Sequence, residues 1–287
     1  MSLGDIIEGT AVQLLRLVPG SWARRVRRDL RDALWLRHAD VVIISFPKSG
    51  RTFVRAMLSR LFQRRFGIDE RRLLEFPLLL RAAPGVPRLL FTHAGDAMRT
   101  ADEIDLDPRE YEHCRVILLA RHPGDVAVSR YHHLKHRSRD RARRRLAEQP
   151  LETFVWSERG GIPAIVRFMN QWAALARERN DVGIVRYQDF LNDPSSTLND
   201  LAAKVGLTVD DTDVADAVEF GALPNLKHRE REGYFRSSRL RAARKGDQAS
   251  YKVRAGSSGG YRKQLSAENA AKVDAYVAAR LDPIFGY

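Results

Sequence analysis

The chain has 287 residues, 44% of them hydrophobic, and a formal net charge of +13. That length and apolar content suit one large globular domain, and no apolar run is long enough to span a membrane. The single cysteine, Cys114, excludes an internal disulfide and a cysteine-built metal site. With no compact charged-then-apolar leader at the N-terminus, the expectation is a cytoplasmic protein.

Residues 3–37, within an N-terminal helical segment 1–39, alternate apolar and basic groups at helical spacing, and Pro19-Gly20 divides them into two helices. Asp29 and Asp32 dilute their charge, which favours packing on the domain and leaves peripheral membrane contact as the other reading. Val41–Ser45 reads as a strand and the stretch from Thr52 to Phe66 as a helix. Leu89–Thr92 and Val116–Ala120 are further apolar strands, and a helix starts at Asp125, placed as its cap. Ile162–Arg179 is helical, Val182–Val185 a strand, and Ser195–Val205 and Val214–Phe220 are helices. A last helix runs from Ala267 to Arg280 behind Ser266 as N-cap. Apolar strands alternating with helices predict an α/β fold, a central parallel sheet flanked by helices, with ligands beyond the carboxyl ends of the strands. One domain is expected over 1–287. Its core, 40–270, carries the motifs, and the basic stretch 227–253 forms a flexible excursion.

The charge is clustered. Lys227 to Arg254 holds ten Lys/Arg against three Asp/Glu, and Arg137 to Arg145 holds six Arg against one Asp. Such a field attracts polyanions, whether nucleic acid, anionic lipid or a phosphorylated cofactor. Blocks of like charge also stand open to solvent without any partner.

Three segments carry chemistry. Ser45-Phe46-Pro47-Lys48-Ser49-Gly50-Arg51-Thr52-Phe53 joins a strand to a helix through a tight cationic loop. Backbone N–H groups and the positive end of the helix dipole converge there on an anion. Lys48 precedes the glycine, so the loop is not the Gly-Lys-Ser/Thr loop that seats Mg²⁺. In the second segment Arg121 leaves a buried strand, Pro123-Gly124 turns the chain, and Ser129 lies one turn inside the next helix. Arg121 and Ser129 can then share one anion, the first through a fork of donors and the second through its hydroxyl. The third is Arg254-Ala255-Gly256-Ser257-Ser258-Gly259-Gly260-Tyr261-Arg262, where glycines free backbone N–H groups for an anion nest. Phe53 is the best flat surface for a base. Of eight histidines, His93 comes after a short strand and projects at the carboxyl end of the sheet near Lys48. His132 and His136, four apart on one helix face, are the alternative as a metal pair, with no carboxylate or cysteine cluster to support them.

These segments resemble the cytosolic-type sulfotransferases, which use 3′-phosphoadenosine 5′-phosphosulfate (PAPS) as donor and release adenosine 3′,5′-bisphosphate (PAP). Pro47–Phe53 resembles their 5′-phosphosulfate loop, with Phe53 where the family has Trp and Arg51 where it often has Thr. The Arg51 side chain matters less if that position binds through its backbone N–H. Arg121 and Ser129 resemble the 3′-phosphate site. Arg254-Ala255-Gly256 resembles the C-terminal Arg-Lys-Gly segment with Ala255 in place of lysine. Arg244-Lys245-Gly246 matches the tripeptide but lacks the later glycine and aromatic at the family spacing. Tyr187 matches a tyrosine that reaches the adenine, and Phe220 is a further candidate adenine contact. The resemblance implies a P-loop nucleotide-kinase-like sulfotransferase fold. It implies a donor site of Lys48, Ser49, Gly50, Arg51, Thr52, Phe53, Arg121, Ser129, Tyr187, Arg254, Ala255 and Gly256, and no metal. It further implies that His93 takes the acceptor's proton, Lys48 stabilises the leaving oxygen, and Ser129 holds Lys48 until the acceptor arrives. The partner is then a small hydroxylated acceptor, with no specific nucleic acid, and a homodimer is allowed. Loops 67–88, 134–160 and 227–250 would shape the acceptor pocket, with Leu73, Leu74, Phe76 and Leu78–Leu80 as an apolar lining for a phenol, hydroxylated lipid or glycoside. The competing readings are a kinase, which would need Mg²⁺ ligands, and a basic nucleic-acid-binding protein, whose binding would weaken steeply with salt.

Overall fold

The computed structural model describes residues 30–94, 99–138, 140–237, 240, 251–252 and 256–287. Four short strands form one parallel sheet in the order β2-β1-β3-β4: β1 Val41–Ile44, β2 Leu89–Thr92, β3 Arg115–Ala120 and β4 Val182–Arg186. The order reverses between β1 and β3, so a crevice opens there beyond the carboxyl ends of the strands.

Strand residues alternate between two cores, as the two-residue period of a strand requires. Val42, Ile44, Val116 and Leu118 face one side and pack with Ile165, Phe168 and Trp172. These come from helix α3, Ile162–Glu178, which covers that side beside α2, Pro123–Arg137. Val41, Ile43, Ile117 and Leu119 face the other side and meet Met57, Leu58 and Leu61 of α1, Arg51–Phe66. Helices α4, Pro194–Lys204, and α5, Asp211–Gly221, complete that layer. Both faces are covered, which explains why these strands are nearly all apolar. Helix α7, Ala267–Arg280, is capped by Ser266, whose hydroxyl accepts from the Asn269 N–H at 3.2 Å.

Four expectations need correction. Asp125 does not cap α2; His122 does, its Nδ1 accepting from the Gly124 N–H at 3.2 Å. Lys227–Arg231 is not an open excursion but the second half of helix α6, Leu223–Arg231, with Leu226 and Glu230 buried. Leu74, Phe76 and Leu79 are not a pocket lining: they are at most 3% exposed and belong to the cores, because segment 67–88 folds back over α1, whereas Leu73 and Leu78 line a separate cleft with Arg72 and Arg236. Arg137 is not solvated, since its guanidinium lies 3.7 Å from the buried Glu230 carboxylate. The helical readings of residues 1–29, the stretches 238–239 and 241–250, Arg254 and Ala255 lie outside the described residues. Among the described residues no helix is long and apolar enough to cross a membrane.

Candidate active site

The loop after β1 is strained. Lys48 has φ 86° and Gly50 φ 93°. A left-handed lysine costs about 1–2 kcal/mol, and strain of this kind collects where surrounding structure enforces a functional geometry. The Ser49 N–H donates to the Phe46 carbonyl at 3.3 Å and the residue is buried, so Ser49 props the loop from behind. Pro47, Lys48, Gly50, Arg51, Thr52 and Phe53 line a cleft of about 260 Å³.

From β3 comes Arg121. One guanidinium nitrogen donates to the Lys48 carbonyl at 3.1 Å and another to the Ser257 carbonyl at 2.9 Å, so a single side chain joins the β1 loop to the C-terminal arm. Its Nε is buried with no hydrogen-bond partner among the described residues, and the Asp125 carboxylate lies 3.9 Å from it. Its guanidinium also lies over the Tyr187 ring, 4.7 Å from the centroid. Tyr187 packs edge-on against Phe53 at 5.9 Å, and both line the cleft.

The Asp125 carboxylate, released from capping, accepts from the N–H groups of Gly259 at 2.8 Å and Tyr261 at 3.2 Å. That contact fastens the glycine-rich arm over the first turn of α2. Gly124 makes the approach close: a β-carbon there would meet the Tyr261 ring at 2.8–3.0 Å. The Tyr261 ring also stacks on His122 with centroids 4.7 Å apart. Burial holds the His122 imidazole down to about 4.

His93 stands at the end of β2. Its Nδ1 lies 2.6 Å from the Ser45 carbonyl and its Nε2 2.7 Å from an Arg51 guanidinium nitrogen. A guanidinium only donates, so Nε2 accepts and Nδ1 carries the proton. Burial, then the charge of Arg51, push the pKa well below the ordinary 6.5, which keeps the imidazole neutral, and the Nε2 lone pair faces the Arg51 guanidinium. The Arg51 side chain thus touches the imidazole directly and does not act through its backbone alone.

Of the residues singled out in the sequence, Lys48, Gly50, Arg51, Thr52, Phe53, His93, Arg121, Ser129, Tyr187 and Gly256 line this one cleft, and Ser49 lies behind it. Phe220 does not line it and packs against Phe235 with centroids 6.0 Å apart. Sequence reasoning missed His133, Leu223, Leu226 and Lys252, which also line it. His133 lies four residues after Ser129, and that helical spacing was a usable signal. No local pattern marks Lys252. His132 and His136 stack at 6.1 Å, and His132 bonds Gln264 through Nε2 at 2.6 Å; no group of metal-ligating residues occurs among the described residues.

Residues 38–284 match the family described as "Sulfotransferase domain". This chain belongs to the sulfotransferase family. Cytosolic sulfotransferase 3 of Arabidopsis thaliana is 25% identical over 197 residues, 65% of this chain and 61% of that protein. Cytosolic sulfotransferase 7 of the same plant is 25% identical over 217 residues, 67% of this chain and 65% of that protein. The matches therefore span under two thirds of these relatives' length. Among solved structures, mouse sulfotransferase SULT7A1 complexed with PAP superposes with a TM-score of 0.59 at 17% identity, over 85% of each chain. Retinol dehydratase in complex with androsterone and inactive cofactor PAP gives 0.62 at 16% identity, over 88% of this chain and 84% of that one. At these identities the two structures establish a shared fold, the sulfotransferase α/β fold.

Proposed function

We propose that this sulfotransferase-family chain moves a sulfuryl group from PAPS to the hydroxyl of an acceptor, without a metal. The observation that carries the reading is a single cleft at the β1–β3 crevice that holds the strained cationic loop, the Arg121–Ser129 pair and a neutral imidazole. The residues fit a doubly anionic adenylate. Lys48 and Arg121 supply cationic stations in the cleft that the Phe53 and Tyr187 rings also line, with Arg121 over the Tyr187 ring. When bound, PAPS supplies a sulfuryl group already activated by its mixed anhydride.

The chain's own residues do the rest. Lys48 and the loop N–H groups neutralise charge on the departing oxygen, a contribution worth about 10²–10³ in rate for one well-placed donor. His93 takes the acceptor's proton at Nε2 while the Ser45 carbonyl holds its Nδ1–H, worth about 10²–10⁴. Arg51 donates to that same Nε2, so it yields the lone pair to the incoming hydroxyl. Arg121, Ser129 and the arm at Gly256 hold the far phosphate and fix the line of attack. Phe53 and Tyr187 flank the base.

Transfer of labelled sulfate from PAPS tests this. Lys48→Ala and His93→Ala should each lose at least about 10²-fold in kcat, and Arg121→Ala should mainly raise the donor's KM. Normal kcat in the His93 variant removes it from the role. Inhibition by EDTA would point to a metal-dependent kinase instead.

A further inference from the structure

The cleft is more cationic than the donor-binding motifs require. His133 lies one helical turn beyond Ser129 on the same face of α2, so both enter the cleft. Its Nδ1 is buried and has no hydrogen-bond partner among the described residues. Lys252 enters from the other side of the chain. Its backbone N–H donates to both carboxylate oxygens of Glu230, at 2.8 and 3.0 Å, and Glu230 is 2% exposed. The root of the lysine is therefore fixed to α6.

Apart from the Glu230 carboxylate, which the Lys252 backbone N–H and Arg137 engage, the charged groups that act most strongly on these two residues are cationic. Lys48, Arg51, Arg55 and Arg137 face Lys252, and Lys48, Arg137, Lys252 and Arg130 face His133. Burial, then these neighbours, depress the lysine well below 10.5 and the imidazole to about 3. Leu223 and Leu226 of α6 supply an apolar wall beside them. A purely apolar acceptor would cover Lys252 and the His133 Nδ1 without satisfying either, and a buried polar atom left that way is costly. An oxyanion satisfies both and favours their protonated forms.

We propose that the acceptor carries, besides its hydroxyl, an anionic oxygen group such as a carboxylate, received by Lys252 and His133, with its apolar body against Leu223 and Leu226. The proposal rests on the sulfuryl-transfer reading and narrows its substrate class to hydroxylated acids. Glu230 acts as a positioning residue that holds Lys252 in reach.

The test is calorimetry on the full chain saturated with PAP, using 4-hydroxyphenylpropanoate, 12-hydroxydodecanoate and the methyl ester of each. At least one acid should bind about tenfold or more tighter than its ester, the return of one charge-assisted hydrogen bond. Its binding heat should change with buffer ionisation enthalpy, reporting proton uptake. The preference should shrink to about twofold or less in both Lys252→Met and His133→Phe, since each removes an anion partner; PAP binding by each variant shows that it is folded. Equal binding of acids and esters, or a preference that survives both substitutions, overturns the proposal while PAP binding still supports the donor reading. Failure of the wild-type chain to bind PAP removes the donor reading and this proposal with it.

Discussion

Helix α1 has a left-handed glycine at each end, Gly50 before it and Gly67 after it, and the two make a matched pair for mutation. At Gly67 a β-carbon meets nothing within 4 Å. Gly67→Ala therefore carries only the left-handed penalty, about 1–2 kcal/mol, partly offset by the lower unfolded-state entropy of alanine. The net is about 1 kcal/mol, a fall in Tm of about 2–4 °C for a chain of this size. At Gly50 the β-carbon would lie 2.7 Å from Cε2 of Tyr187 and closer still to Cδ2. The ring must move, and overpacking adds about 1–3 kcal/mol. Gly50→Ala should then cost about 2–4 kcal/mol and lower Tm by roughly 5–12 °C. It should also weaken PAP binding at least tenfold, because the displaced ring flanks the proposed donor site, whereas Gly67→Ala should leave PAP binding unchanged. Urea titration and differential scanning fluorimetry with and without PAP measure both effects. In a Tyr187→Ala background the Gly50 substitution should cost no more than the Gly67 one, a cycle that isolates the contact. Equal penalties for the two glycine variants in the wild-type background would refute the proposed tie between loop and ring.

Other outcomes are equally direct. Asp125→Ala leaves the Gly259 and Tyr261 N–H groups without their acceptor, and each hydrogen bond to a charged group is worth about 1.5–3 kcal/mol. A fall in Tm together with a weaker PAP affinity is expected, and an unchanged PAP affinity would separate the arm from the donor site. The buried His122 stays neutral down to about 4 while its unfolded form binds a proton below about 6.5. The unfolded state thus takes up more protons in that window, so stability falls as pH drops from about 6.5 toward 4, by up to roughly 3 kcal/mol from this one group. His122→Asn, which preserves a capping side chain, should flatten the urea-midpoint slope between pH 6.5 and 4.5; an unaltered slope would exonerate the histidine. Arg51→Thr removes the guanidinium that fills the His93 Nε2 and should raise the pKa of that imidazole, readable by NMR of the ring protons.

The layered fold was legible because its determinants are local. Runs such as Val41–Ile44 and Val116–Ala120 are apolar on both faces, and Ser266 announces its helix with a side-chain cap. The tight cationic loop was legible for the same reason, since its lysine and glycine sit between a strand and a helix. What escaped depends on contacts between distant segments. Asp125 has the right position for a cap, yet it serves an arm more than 130 residues away. Leu74 and Leu79 look like an exposed lining only until α1 and the sheet are there to cover them. Lys252 enters the cleft because a carboxylate on α6 grips its backbone, and no nearby residue records that.

That grip bears on chain length. The chain is fastened at Glu230 and Lys252, and again where the Asp125 carboxylate takes the Gly259 and Tyr261 amides. Between two pinned ends, doubling the length of an insert costs only about 0.6 kcal/mol in closure entropy. A change of length between Glu230 and Lys252 would therefore cost little stability while both fastenings keep their register.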